Sequence, residues 1–232
     1  MVFNAPYMYK FEVRNDETGV TTAYTMPENW HEVTTQQYIR LRTEYAGDTA
    51  HLLEILSGNP RSSWMAQDVK FVEDVLILVS WIGEKQIEFD KLKIPEQLEI
   101  NGHQIKIPKD LGMETFGQKM LVDNKLRAFM EDQMNSKRPD VAKRFASIGL
   151  IDYIAAVYLC RWIVGKEKFD AGDVELALLH VRNTPAYLIY PIAGFFLKKS
   201  IDSIGIGKKL SRLERRKIQR TLNSARGPGP KG

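Results

Sequence analysis

The amino-acid sequence predicts a mainly α fold with small β-hairpins. The expected form is a helical body with an N-terminal β-arm and a basic C-terminal arm. Three observations lead there. Residues 68–82 and 151–162 repeat apolar side chains at helical spacing. Residues 98–107 instead alternate apolar and polar side chains around Asn101-Gly102. The composition, 44% hydrophobic and 27% charged over 232 residues, is that of an ordinary globular chain. A chain of this length buries roughly 70% of the surface its unfolded form exposes.

The elements follow in order. Tyr9, Phe11 and Val13 alternate with Lys10, Glu12 and Arg14, turn residues occupy 15–19, and Val20 to Met26 is β-prone. This reads as a terminal hairpin over 1–26, which must dock on its own core or on a neighbour because a lone hairpin is marginal. The body is expected over 27–206. Thr34-Thr35-Gln36-Gln37 spells a capping box, with Val33 and Tyr38 at the staple positions. Asp48 to Ser57 reads as a helix stopped by Gly58. Asp68 to Ile82 reads as a helix apolar nearly all round, and therefore buried.

An inserted hairpin is expected within 96–107. Asn-Gly favours a two-residue turn with positive φ at both positions, and that register pairs Leu98 with Ile105. It places Leu98, Ile100, Ile105 and Ile107 on one face. Helices resume from about Met113 to Gln133, then over the segment containing Ile151, Ile154, Ala155, Tyr158, Leu159 and Trp162. Asp173 is expected to cap a helix reaching Val181, and Thr184-Pro185 to open the next as cap and first residue. A last helix, Leu210 to Leu222, is expected after Gly205 and Gly207.

Charge is unevenly spread. The chain is +4 overall, but residues 207–232 hold nine bases and one acid, so they are +8 and the rest is −4. On a helical wheel Leu210, Leu213, Ile218 and Leu222 take about half the circumference. Lys208, Lys209, Arg212, Arg215, Arg216 and Arg220 take the other half. These are the candidate partner-binding residues, an apolar stripe opposite a basic one. No aromatic side chain interleaves with the bases, which argues against base stacking and leaves non-specific contact with DNA as the nucleic-acid option.

Several function classes find no support. The single cysteine, Cys160, excludes a disulfide framework within the chain. His31, His51, His103 and His180 stand in no paired metal spacing, so no metal is expected. Ile204-Gly205-Ile206-Gly207-Lys208-Lys209 lacks the early glycine and the Ser or Thr of a phosphate loop, so no nucleotide or other cofactor is expected. The N-terminus has no basic and apolar regions of a signal peptide. The longest uncharged stretch, Asn183 to Leu197, has fifteen residues. A membrane span needs about 20, so no membrane partner is expected.

Pro27-Glu28-Asn29-Trp30 followed by Glu32-Val33-Thr34-Thr35-Gln36-Gln37-Tyr38 resembles the opening of virion proteins from tailed phages of Bacteroidetes hosts. Those begin with a proline, a tryptophan and a capped E-(V/L)-T-x-x-Q-(Y/F) helix. Pro108 to Leu111 with Thr115-Phe116-Gly117-Gln118 resembles the next block, and Ile154 to Leu159 the third, so the resemblance covers about residues 27–200. It implies a ring or connector protein of a crAss-like phage, a non-enzymatic structural subunit between portal and tail. Such a protein is made in the bacterial cytoplasm and resides in the virion. Its partners would be the portal, neighbouring ring or tail proteins, and further copies in a homo-oligomeric ring. The family carries no catalytic residue to transfer. A tail-assembly chaperone and an accessory nucleic-acid-binding protein remain as alternatives.

Overall fold

The computed structural model describes residues 8–14, 19, 21–83, 92–108, 115–135 and 148–204. The fold is mainly α with two small antiparallel hairpins, as the patterning predicts. The chain groups into two compact units, Met1–Ile87 and Glu88–Gly232. The boundary falls inside the helical body expected over 27–206, and the N-terminal hairpin belongs with the first unit.

In the first unit, β1 (Met8–Arg14) pairs with β2 (Thr21–Pro27), placing Phe11 opposite Tyr24. The hairpin docks on its own unit. Phe11 and Tyr24 stack with ring centroids 5.5 Å apart, and Tyr24 meets Trp64 at 4.5 Å. Phe71 closes the cluster edge-on to Phe11 at 5.6 Å. The Asn59 side-chain amide donates to the Ala23 carbonyl across 3.1 Å, fixing the strand to the helices behind it. Such aromatic contacts contribute about 0.5–1.5 kcal/mol each beyond the area they bury.

The helices of this unit are α1 (Thr35–Thr43), α2 (Thr49–Ser57), α3 (Arg61–Met65) and α4 (Val69–Leu78), followed by a 3-10 turn, Ser80–Gly83. Thr34 caps α1 in a reciprocal box. Its hydroxyl accepts from the Gln37 amide at 3.1 Å, and Gln37 Oε1 accepts from the Thr34 N–H at 2.9 Å. Val33 and Tyr38, the staple pair, are both buried. Gly58 ends α2 in the left-handed region at φ 75°, which only glycine adopts without cost.

α4 departs from expectation in two ways. It stops at Leu78 instead of continuing as an α-helix to Ile82, tightening into the 3-10 turn. It is also not buried all round, because Val75 and Val79 are buried while Val69, Ile77 and Leu78 are exposed. The reason lies in the helical period. Glu73 and Asp74 fall between Val69 and Ile77 on the same stripe, and two adjacent carboxylates hold that stripe in water.

In the second unit, β3 (Gln97–Ile100) pairs with β4 (His103–Lys106) in the predicted register, with Leu98 opposite Ile105. Asn101 and Gly102 both take positive φ, 54° and 73°. Leu98, Ile100, Ile105 and Ile107 are all buried in the core of this unit. Among the described residues this unit also has four helices: α5 (Phe116–Asn135), α6 (Ile148–Val164), α7 (Ala171–Asn183) and α8 (Ala186–Ile204).

α6 is the central element and packs against α5, α7, α8 and β4. Its residues Ile154 to Cys160 are buried without interruption. The apolar stretch within 183–197 forms the buried part of α8, and Pro191 lies inside that helix. Among the described residues no helix is long and apolar enough to cross a membrane.

Two helix starts differ from the sequence expectation. The cap of α7 is Asp170, and Asp173 is the third residue of a reciprocal box with it. The carboxylate of Asp173 takes the role usually held by Glu or Gln. Thr184 closes α7 instead of opening α8, because its hydroxyl donates to the His180 carbonyl at 2.9 Å. α8 then begins at Ala186, with the Pro185 carbonyl accepting from Leu188 at 3.1 Å.

Candidate interaction surfaces

The partner-binding residues expected from sequence, Lys208, Lys209, Leu210, Arg212, Leu213, Arg215, Arg216, Ile218, Arg220 and Leu222, lie outside the described residues. The expected arm 207–232 does so as a whole. What the described residues offer is two kinds of feature: polar groups sealed in the interior, and apolar side chains left in solvent.

The interior polar groups serve the fold. Asp152 is almost wholly buried, and its Oδ2 accepts from Arg182 Nε at 2.8 Å. Its Oδ1 accepts from the Tyr153 N–H at 2.7 Å. Burial nevertheless raises its pKa, because desolvation outweighs the help from Arg182. Tyr158 and Ser200 share a buried hydroxyl pair at 2.8 Å, tying α6 to α8.

Gln118 extends a second Thr-x-x-Gln box. Its Oε1 accepts from the Thr115 N–H at 2.9 Å, and its Nε2 donates to the Val157 carbonyl at 3.3 Å. Gln37 does the same in the first unit, reaching the Leu56 carbonyl at 2.6 Å. Each box therefore ties a helix start to another helix.

Cys160 is buried, and desolvation pushes its thiol up to about 12, so it is not a thiolate near neutral pH. Glu32 closes the turn before α1, accepting from the Glu28 N–H at 2.6 Å and the Asn29 amide at 3.2 Å. Burial raises its pKa too. Asp173 is pulled the other way by the ammonium of Lys166, 2.6 Å from Oδ1. Among the described residues no three His, Cys, Asp or Glu side chains gather to hold a metal ion. His103 is exposed beside its turn.

The exposed apolar side chains are the candidates. In the first unit Met65, Val69 and Ile77 are each 70% exposed or more, and Leu78 stands beside them in sequence. In the second unit Phe116 and Met120 are exposed one turn apart on α5, and Leu176 and Leu179 one turn apart on α7. Scattered apolar residues on a surface are ordinary; paired ones on one helical face are the usual mark of an interaction site.

No protein-family model matches the chain, and no curated protein or solved structure matches it.

Charge separates the two units. Residues 1–87 carry seven Lys and Arg against twelve Asp and Glu, a net −5. Residues 88–206 carry seventeen against sixteen, a net +1. The acidic excess opposite the +8 terminus is therefore a property of the first unit.

The exposed stripe of α4 was readable in principle. Val69, Glu73 and Ile77 are spaced four apart, so the carboxylate marks the face on which its apolar neighbours sit.

Proposed function

We propose that this chain is a structural virion protein, a ring or connector subunit between the portal and the tail of a tailed phage. It works without catalysis or cofactor, by packing against copies of itself and neighbouring virion proteins. The observation that carries the reading is the pairing of well-packed helical units with apolar side chains held in solvent on helical faces. Surfaces of this kind suit a subunit completed by assembly. The resemblance of the blocks at 27–38, 108–118 and 154–159 to crAss-like phage virion proteins adds the place of assembly.

The charge distribution supports a head-to-tail arrangement. A ring closes through heterologous interfaces, where one face meets a different face of the next subunit. A −5 unit and a +8 terminus on one chain supply unlike surfaces of this kind. Exposed ion pairs contribute only about 0–1 kcal/mol each, so the bases set orientation and encounter rate while apolar burial supplies affinity.

Peptide mass spectrometry of purified particles of the phage that encodes this sequence tests the reading. The subunit is expected in every preparation, at a fixed copy number relative to the portal. A chain abundant in infected cells but absent from particles would be an assembly chaperone instead.

A further inference from the structure

We propose that the exposed α3–α4 face of the first unit is the docking surface for the basic segment 208–222 of a second copy of this chain. The proposal rests on the reading of the chain as a self-assembling subunit and names the acceptor in that assembly.

Three observations select this face. The first is chemical match. Met65, Val69, Ile77 and Leu78 are exposed, and three exposed carboxylates, Asp68, Glu73 and Asp74, outnumber the one exposed base, Lys70, among them. The segment 208–222 carries the complementary set, Leu210, Leu213, Ile218 and Leu222 with seven bases and one acid. Apolar residues can bury one another only if the charges beside them also find partners, and here the signs are opposite.

The second is discrimination between faces. Beside the exposed pair Phe116 and Met120, Lys119 is ion-paired with Asp123 at 3.5 Å, so that face of α5 offers the basic segment no excess negative charge. The pair Leu176 and Leu179 is accompanied by Glu175 alone within the same span of α7. The α4 stripe holds two adjacent carboxylates, in the unit that carries the −5.

The third is spacing. Val69 and Ile77 are eight residues apart, and so are Leu210 and Ile218. On α4 that spacing spans about 12 Å. Lys70, Glu73 and Asp74 lie between the first pair, a net −1, and Arg212, Glu214, Arg215, Arg216 and Lys217 between the second, a net +3. Two apolar anchors thus bracket charge of opposite sign at the same separation. The occupant is a second copy because unlike surfaces on one chain propagate head to tail and can close into a ring.

A charge swap in the full-length protein tests this, read by sedimentation velocity and light scattering. Glu73→Lys with Asp74→Lys, and separately Arg215→Glu with Arg216→Glu, should each weaken self-association by about tenfold, because like charges then face one another. Combining all four should restore it to within about threefold of the parent, since the reversed pairs attract again. Val69→Ser with Ile77→Ser should weaken association without a charge change. All these positions on α4 are in solvent, and circular dichroism checks that the fold is kept.

A parent chain that stays monomeric at high concentration overturns the proposal, as it would if the segment lay on its own chain. So does association unaffected by the α4 variants, which would put the segment on another protein or on DNA. Either result alongside a fixed copy number in particles would leave the function standing and remove only this acceptor. Rescue by the swap in a protein absent from particles would do the reverse.

Discussion

Asp152 shows what a single residue costs and contributes inside the second unit. Its carboxylate is held by Arg182 Nε and the Tyr153 N–H, yet burial raises its pKa above the usual 3.8. The folded state therefore favours the protonated form. That contribution to stability is complete below the unfolded pKa and is lost as pH rises through the folded one. Asp152→Asn removes the titration but keeps an acceptor for Tyr153. The stability of the parent relative to this variant should fall as pH rises from below 3.8, in urea unfolding followed by circular dichroism. Arg182→Ala leaves the buried carboxylate without its cation and should cost about 2–3 kcal/mol at pH 7. Cys160 offers a second check at this scale. With its thiol near 12 and its side chain buried, it should react with a thiol reagent at pH 8 only as fast as the chain opens.

At the scale of elements, two local devices set the helices and the hairpin. Gly102 sits at φ 73° in the β3–β4 turn with open space where a Cβ would go. Gly102→Ala should therefore cost only the backbone strain of the left-handed region, about 1–2 kcal/mol by thermal unfolding. Gln118 satisfies the Thr115 N–H and the Val157 carbonyl from a buried position. Gln118→Ala leaves the Thr115 N–H without its acceptor and removes the second bond to the Val157 carbonyl, and should cost about 1–2 kcal/mol. Gln37→Ala should cost less, because Gln37 is only partly buried and water can reach its former partners. Equal losses for the two would contradict the role given to burial.

The same elements explain what was legible in the sequence. Asn101-Gly102, the Thr34 box and Gly58 act within a few residues of themselves, so pattern alone located them. The many apolar residues of α4 suggest burial on every side, while Glu73 and Asp74 on the same stripe keep one face in water. Asp170 was passed over as a cap because its box closes with Asp173, an uncommon third residue. The Tyr158–Ser200 and Asp152–Arg182 pairs join residues far apart in sequence, and no local pattern announces them. The candidate site was legible only as charge and amphipathic spacing in 207–232, which lies outside the described residues.

For the whole molecule, the expectation is a folded pair of units that assembles through its terminus. Deleting residues 207–232 removes nine bases and four apolar stripe residues. The truncated chain should keep its circular dichroism spectrum and cooperative unfolding while losing most self-association. Loss of folding would make the segment part of a core, and unchanged association would make it idle.

A symmetry-resolved cryo-electron reconstruction of the head–tail junction tests the proposed place of the protein in the particle. Density for both units, repeated in a closed ring beneath the portal, is the expected result. A junction fully occupied by other chains, with none of this protein in the ring, would contradict it.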